Sequence, residues 1–387
     1  MRTTAIPQGS TIGILGGGQL GRMTAMAARS LGYRVQVMDP DPSCPARFVV
    51  DACFVGSWDD ARAAADLARG CDVITLEIEQ ISIASLEAAA RHAPVRPGKD
   101  ILAMVQDRIQ QKNWLRAQGY PVGPCRNIYS EDDLLQAAAE LGGRIYLKHA
   151  RGGYDGKGQV KMDVRKEGLL RENIAAAWRT LGGQPCVAEK ALDLQSEISV
   201  MVARNPRGEV VAYPAATNHH EHQILVWSAL PSSIPPSLEK RAQEIATTMA
   251  SELKLEGLLA VEMFVTAGEG LYVNELAPRP HNSYHASQRC CVTSQFEQAV
   301  RAVCDLPLGD VRIMRPAAIA NLLGDLWLND GLQTEPHFAQ ALAVPEVSLH
   351  LYEKHTARAG RKMGHLSATA DTAEEAVSRV MEARSRL

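Results

Sequence analysis

Residues 11–39 restrict the fold more than any other stretch of this chain. TIGIL is a short, unbroken apolar run, GGGQLGRM is a glycine turn, MTAMAARSLGY repeats its apolar residues at helical spacing, and VQVMD is apolar again. A buried strand, a glycine turn, a helix and a second buried strand make a crossover unit, and such units build parallel sheets. The alternation continues, with DDARAAADLARG read as helix, CDVITLEIE as strand and SIASLEAAARHA as helix. An open, doubly wound α/β domain therefore fills roughly residues 10–100.

A chain of 387 residues exceeds one ordinary core, and two to four domains are expected. The stretch VRPGKDILAMVQDRIQQKNWLRAQGYPVGP leads out of the first domain as one or two helices. A smaller module follows over about 120–190, with EDDLLQAAAELG and EGLLRENIAAAWRTLG as helices and RIYLK and QVKM as strands. From about residue 187 the chain is strand-rich, and one helix, SLEKRAQEIATTMASELK, precedes the strands LLAVEMFV and GLYVNELAP. The tail after about residue 312 is mixed, with a β-like portion around VSLHLYEK. A net charge of −3 without a long basic run argues against nucleic acid or an anionic membrane surface as partner. No apolar run has the length of a transmembrane helix, and the N-terminal residues lack the apolar core of a secretory signal. The eight cysteines are scattered without a C-x-x-C pair, so they read as reduced, mostly buried small residues of a cytoplasmic chain.

Gly16, Gly18 and Gly21 fit G-x-G-x-x-G, and Asp39 ends the second strand where a ribose-binding acid would stand. Three readings stay open here: a dinucleotide dehydrogenase, a phosphate site at a helix N-terminus, and a tight turn that packs strand against helix. A second glycine cluster, GGYDGKGQ, lies between two strands and is no Walker loop, because no Gly-Lys-Ser/Thr opens a helix. A glycine-rich hairpin tip can close over a polyphosphate and offer its N–H groups at short range. Lys148 before it and Lys157 at its tip supply positive charge; a mobile loop with solvated charges is the alternative.

LAVEMFV and LYVNELAP flank AGEG. A four-residue loop pairs Thr266 with Leu271, and counting back sets Glu262 opposite Glu275, with Cβ atoms about 5 Å apart. Like charges so placed call for a divalent cation or a shared proton between them. In VAEKALDLQSE, Glu189 and Lys190 end one strand and Glu197 starts the next; the linker between them is a candidate adenine and ribose contact.

Together these elements resemble the ATP-grasp superfamily, and within it the 5-(carboxyamino)imidazole ribonucleotide synthase family. The residues that carry the resemblance are GILGGGQLGRM, TLEIE, QDR, GGYDGKGQ, EK with SEISV, H-x-x-x-I-L at 220–225, AVEMF, NELAPRPHNSYH, TSQFEQ, and HLYEK with GRKMGH. The resemblance implies an ATP-grasp fold of mixed α/β and α+β class. Its parts would be a Rossmann-like pre-ATP-grasp domain over 1–105, a small lid with the glycine loop over 106–190, a larger ATP-binding part over 191–311, and a small β-rich C-terminal domain over 312–387.

It also implies a ligase that uses ATP and Mg²⁺, or Mn²⁺, to join bicarbonate to 5-aminoimidazole ribonucleotide through carboxyphosphate, working in purine biosynthesis as a homodimer. By motif match the nucleotide positions are Arg108, Lys148, Gly153, Tyr154, Asp155, Gly156, Lys157, Gly158, Gln159, Glu189, Lys190, Ala191, Leu192, Glu197, His220, Asn274 and Glu275. Glu262 and Glu275 fall at metal positions. Asp155, Lys354, Arg279 and His281 are the catalytic candidates. Gly18, Gln19, Leu20, Glu77, Asn282, Ser283, His285, Lys354, Arg361 and Lys362 fall to the substrate end. Tyr284 stands where the family has glycine, which sets a bulky ring at that cleft. A formate-using glycinamide ribonucleotide enzyme of the same superfamily is the near competitor. A nucleotide-binding regulatory module and an NAD-dependent dehydrogenase are the alternatives of another class.

Overall fold

The first four strands hydrogen-bond as the crossover pattern requires. In the computed structural model, which describes residues 5–153, 158–163, 170–329 and 332–387, β1 (Thr11–Leu15), β2 (Arg34–Asp39), β3 (Ala52–Val55) and β4 (Val73–Leu76) form a parallel sheet in the order β3-β2-β1-β4. Ile12 pairs with Val35 on one side and Val73 on the other. All of β1 is buried, as a strand covered on both faces must be. The strand expected through Glu79 stops at Leu76, because the Glu77 side chain turns back onto the glycine turn. The parallel direction brings the ends of β1, β2 and β4 to one edge, and with them the glycines, Asp39 and Glu77.

The next module is antiparallel. Its strands are β5 (Cys125–Ile128), β6 (Arg144–His149), β7 (Gln159–Asp163) and β8 (Cys186–Lys190), in the order β5-β8-β6-β7. Helices Glu131–Leu141 and Leu170–Thr180 cover one face around Ile128, Leu134, Leu147 and Ile174. Lys148 pairs with Gln159 as the last rung before the glycine loop.

The remaining strands are β9 (Leu194–Arg204), β10 (Val210–Ala212), β11 (Ala216–Glu221), β12 (Ile224–Leu230), β13 (Gly257–Thr266), β14 (Gly270–Ala277), β15 (Ala317–Leu323), the short pair β16 (Leu328–Asn329) and β17 (Leu332–Gln333), then β18 (Val347–Leu351) and β19 (Lys362–Thr369). The large sheet runs β14-β13-β9-β11-β12-β15-β19-β18, with β10 on β9. Strands beyond residue 312 thus extend this sheet through the β12–β15 pairing, such as Ser228 with Ile319. The apolar run AAIANL is fully buried there, between the sheet's neighbours and helix Ala373–Ser385.

Tyr284 does not stand in a cleft. Its ring is fully buried, packs edge-on against Tyr213 at 5.6 Å, and its hydroxyl faces the carbonyls of Ser199 and Pro214 at 2.8 Å each. An aromatic side chain with a satisfied hydroxyl fills core space that a glycine would leave open. Tyr284→Phe removes that donor and lowers stability by about 1–3 kcal/mol, read from the denaturation midpoint.

Three imidazoles stack nearby. His285 and His365 are 4.8 Å apart, and His350 lies parallel to His365 at 5.1 Å. The Gln295 amide donates to His285 Nδ1, which fixes that ring as neutral, and Tyr352 Oη meets His365 Nδ1 at 2.9 Å. Burial, reinforced by the neighbouring imidazoles, holds the pKa of both His285 and His365 well below the ordinary histidine value. The unfolded chain then binds protons first, so stability is complete above about pH 6.5 and is lost as pH falls below it, by about 1.4 kcal/mol per pH unit for each group. The denaturation midpoint should drop between pH 7 and 5, with a shallower slope in His365→Gln; a flat profile would contradict the buried neutral stack.

Candidate active site

One extra residue sets the geometry of the acidic pair. The loop pairs Thr266 with Gly270, not with Leu271, and the register runs Val265–Leu271, Phe264–Tyr272 and Met263–Val273. That register alone would face Glu262 with Asn274. A β-bulge at this point shifts it by one, and Glu262 pairs with Glu275. The pairing deduced from an even-numbered loop is right, but the even loop is not its cause. Asn274 is the extra residue, and its buried Oδ1 has no hydrogen-bond partner among the described residues.

Each acid of the pair is met by its own cation or imidazole. Arg108, the first residue of helix Arg108–Ala117, donates through both terminal nitrogens to Glu275 Oε2 at 3.1 Å. His281 Nε2 lies 2.9 Å from Glu262 Oε1. The Ser283 backbone N–H points at His281 Nδ1, so that nitrogen accepts and the ring proton sits on Nε2, towards Glu262. Behind it the buried side chains of Ser283, Ser199, Asn218 and Ser228 form a continuous hydrogen-bonded chain. Burial works against ionisation of Glu262, yet His281, His220 and Arg279 together hold its carboxyl below the usual range.

The nucleotide candidates gather at the facing edge. Lys148 Nζ is 2.6 Å from Glu189 Oε2, and Lys112 Nζ is 3.1 Å from Oε1. Burial opposes ionisation of Glu189, but Lys112, Lys148 and Arg108 outweigh it and keep the carboxylate charged. His220 meets Glu197 at 3.0 Å; burial works to lower its pKa, and the Glu197 contact raises it overall. The amides of Lys190 and Ala191 bond to the carbonyls of Pro124 and Arg144, which anchors the segment that runs on to Leu192. Gly152 and Gly158, at φ +79° and +72°, frame the glycine loop in conformations that favour glycine. Gly153, Gly158 and Gln159 border that loop; Tyr154, Asp155, Gly156 and Lys157 lie outside the described residues. Among the described residues no group of three His, Cys, Asp or Glu could itself hold a metal.

At the edge of the first sheet the glycine turn is already filled. Gly18 and Gly21 donate their N–H groups to Glu77 at 2.7 and 2.9 Å, and Gly17 donates to Asp39 at 2.8 Å. A Cβ on Gly16 or Gly18 would lie 2.4 or 2.5 Å from Glu77 atoms, so these glycines exist to admit a carboxylate. The N–H groups that a pyrophosphate would need are taken by carboxylates, which argues against the dehydrogenase reading, and the Gly18 N–H is held by Glu77. Gln19 does face the C-terminal part: its Oε1 accepts from Lys354 Nζ at 2.7 Å, whereas Leu20 is buried beside Met23 and Phe296. Arg22 binds Glu353 through both terminal nitrogens at 2.9 Å each. A small pocket of about 50 Å³ lies between Asp41, Ser43, Pro45, Lys354, His355, Thr356 and Arg361. Lys362 contributes its carbonyl to Lys354.

Arg279 pairs with Glu79 at 2.7 Å. Both polar atoms of the Asn282 side chain are shielded and without a hydrogen-bond partner among the described residues. Ser283 and His285, expected at the substrate end, are instead fully packed: Ser283 supports His281, and His285 belongs to the imidazole stack. Sequence reasoning missed Lys112 and Glu79. Lys112 stands one helical turn beyond Arg108, a spacing that could have flagged it, whereas the sequence carries no such signal for Glu79.

Three family models match the chain: a ribonucleotide synthetase preATP-grasp domain over residues 9–106, an ATP-grasp domain over 113–296, and a phosphoribosylaminoimidazole carboxylase C-terminal domain over 317–379. The chain is 40% identical over 367 residues to the N5-carboxyaminoimidazole ribonucleotide synthase of Bacillus subtilis, covering 95% of this chain and 93% of that one. It superposes with a TM-score of 0.90, at 39% identity, on the ADP complex of an N5-carboxyaminoimidazole ribonucleotide synthetase, covering 99% and 98%. An Aspergillus clavatus synthase solved with ADP and 5-aminoimidazole ribonucleotide matches with a TM-score of 0.87 at 30% identity, covering 98% and 100%.

A Cβ on Gly21 would lie 2.4 Å from the Gly16 carbonyl oxygen, a backbone atom that cannot swing aside, while one on Gly98 meets nothing within 4 Å. Gly21→Ala should therefore lower stability by about 1–3 kcal/mol, while Gly98→Ala leaves the denaturation midpoint nearly unmoved.

Proposed function

Because the chain belongs to the N5-carboxyaminoimidazole ribonucleotide synthase family of ATP-grasp enzymes, we propose residue roles for a reaction whose outline the family fixes. The chain is an ATP-dependent ligase that carboxylates 5-aminoimidazole ribonucleotide in purine biosynthesis. Its carbon source is bicarbonate. ATP phosphorylates bicarbonate to carboxyphosphate and leaves as ADP; the ribonucleotide amine then forms the new N–C bond and phosphate departs. Phosphorylation is needed because the carbon of bicarbonate is a poor electrophile with no good leaving group. The related formate-using enzyme is disfavoured by the names of the relatives and by the C-terminal domain that matches.

Glu262 and Glu275 would hold a divalent cation, Mg²⁺ or Mn²⁺, with Asn274 beside them. An all-oxygen set with an unpartnered Asn274 Oδ1 suits such a hard cation, which takes its other ligands from phosphate and water. Bound there, it neutralises phosphate charge and aligns the transferred group. Arg108 and Lys148 would bind phosphate oxygens under the glycine loop, Lys190 to Leu192 would border the adenine, and Glu197 with His220 would hold ribose hydroxyls. Arg279, His281 and Asn282 would bind bicarbonate, the Asn282 amide offering a donor and an acceptor that the protein leaves unused. Lys354, Arg361 and Lys362 would take the ribonucleotide phosphate. Asp155 is the candidate for positioning or deprotonating the amine, on the sequence alone. A cytoplasmic location and a homodimer complete the proposal by family analogy.

The observation that carries these roles is the bulge that brings Glu262, Asn274 and Glu275 together. Phosphate release should require ATP, bicarbonate and 5-aminoimidazole ribonucleotide together, and should not respond to formate with glycinamide ribonucleotide. Glu275→Ala should cut turnover by about a hundredfold or more at millimolar Mg²⁺, with the circular dichroism spectrum unchanged; retained turnover would remove Glu275 from the site.

A further inference from the structure

Lys112 is a buried cation with no role so far. It lies on helix Arg108–Ala117 one turn beyond Arg108, and its side chain is 4% exposed. Its Nζ sits 3.1 Å from Glu189 Oε1 and donates to the Asn274 carbonyl at 2.8 Å. Glu189, 11% exposed, also faces Lys148 at 2.6 Å from Oε2. One buried carboxylate is thus shared by two ammonium groups. Lys148 belongs to the phosphate-binding set. Lys112 is sealed behind it, with almost no surface to offer a ligand.

A single ammonium would pair Glu189 in the nucleotide-free chain. The second matters when Lys148 turns towards a phosphate. Taking the only partner from a buried carboxylate leaves an uncompensated charge in the interior, which is strongly unfavourable. With Lys112 in place, Glu189 stays paired throughout. Burial pulls the Lys112 pKa below the ordinary lysine value and the Glu189 carboxylate works against that fall, while the Lys112 ammonium in turn helps to hold the Glu189 carboxyl ionised. The bond to the Asn274 carbonyl ties the same ammonium to the bulge that carries Glu275.

We propose that Lys112 is a positioning residue for nucleotide binding, the retained counter-ion of Glu189 that releases Lys148 from that carboxylate to a phosphate. This rests on the reading of the cleft as the ATP site. The cleft is therefore poised for an exchange of partners. Lys148 leaves Glu189 and Arg108 leaves Glu275, both for phosphate oxygens, while Lys112 remains where it is.

The test is calorimetric titration of ADP with Mg²⁺ into the full chain in four forms: unsubstituted, Lys112→Met, Glu189→Gln, and both together. Lys112→Met should weaken ADP binding by at least about tenfold, because Lys148 is then the last ammonium group in contact with Glu189. In the Glu189→Gln background the same change should alter Kd by less than about threefold, since a neutral amide makes no claim on Lys148. Equal losses in both backgrounds, or no loss in the first, would overturn the proposal and leave Lys112 a packing residue. An unsubstituted chain that binds no ADP overturns the nucleotide reading and this proposal with it, whereas binding indifferent to Lys112→Met overturns only the latter. If Lys112→Met does not fold, Lys112→Gln, which keeps a donor for the Asn274 carbonyl without the charge, takes its place in the same cycle.

Discussion

The bulge between β13 and β14 is the constraint on which the cleft depends. Side chains alternate along a strand, so a register error of one residue would turn an acid to the wrong face. The extra residue at Asn274 corrects the register that the Thr266–Gly270 turn imposes, and Glu262 and Glu275 become neighbours. Bulges are a recurrent means of re-aiming side chains beside functional sites. Here the bulge is held from behind, since the Asn274 carbonyl is fixed by the ammonium of Lys112.

Charge balance follows from that placement. Two facing carboxylates are unfavourable unless each is otherwise held, and the free chain gives them separate partners, the Arg108 guanidinium for Glu275 and the His281 imidazole N–H for Glu262. Those partners come from separate elements, Arg108 from the start of helix Arg108–Ala117 and His281 from the turn before Asn282. On the proposed residue roles, binding exchanges these partners for ligand groups rather than desolvating bare charges. At the edge of the first sheet, Glu77 occupies the glycine turn and accepts from the N–H groups of Gly18 and Gly21.

Much of this was legible in the residues. The crossover unit at 11–39 and the hairpin around GGYDGKGQ follow from periodicity and spacing, whereas the opposition of Glu262 and Glu275 was reached by counting from a loop length that the chain does not have, and the bulge restores it. What was not legible has physical causes. The strand Ala216–Glu221 reads ATNHHE, half exposed and polar, with none of the apolar alternation that signals a strand. The burial of Tyr284 is decided by Tyr213 and two distant carbonyls, contacts far away in sequence. The glycine turn misleads because the same three glycines admit a phosphate or a carboxylate, and only the position of Glu77, 59 residues on from Gly18, decides between them. The tail's membership of the large sheet likewise depends on the β12–β15 pairing across a long connection.

The central claim is that Glu262 and Glu275 grip one divalent ion under the nucleotide. A crystal grown with ADP and Mn²⁺ tests it through anomalous scattering. The account predicts one strong anomalous peak within about 2.5 Å of both carboxylates, with Arg108 released from Glu275. Bound ADP with no such peak, and Glu262 and Glu275 still on His281 and Arg108, would contradict it.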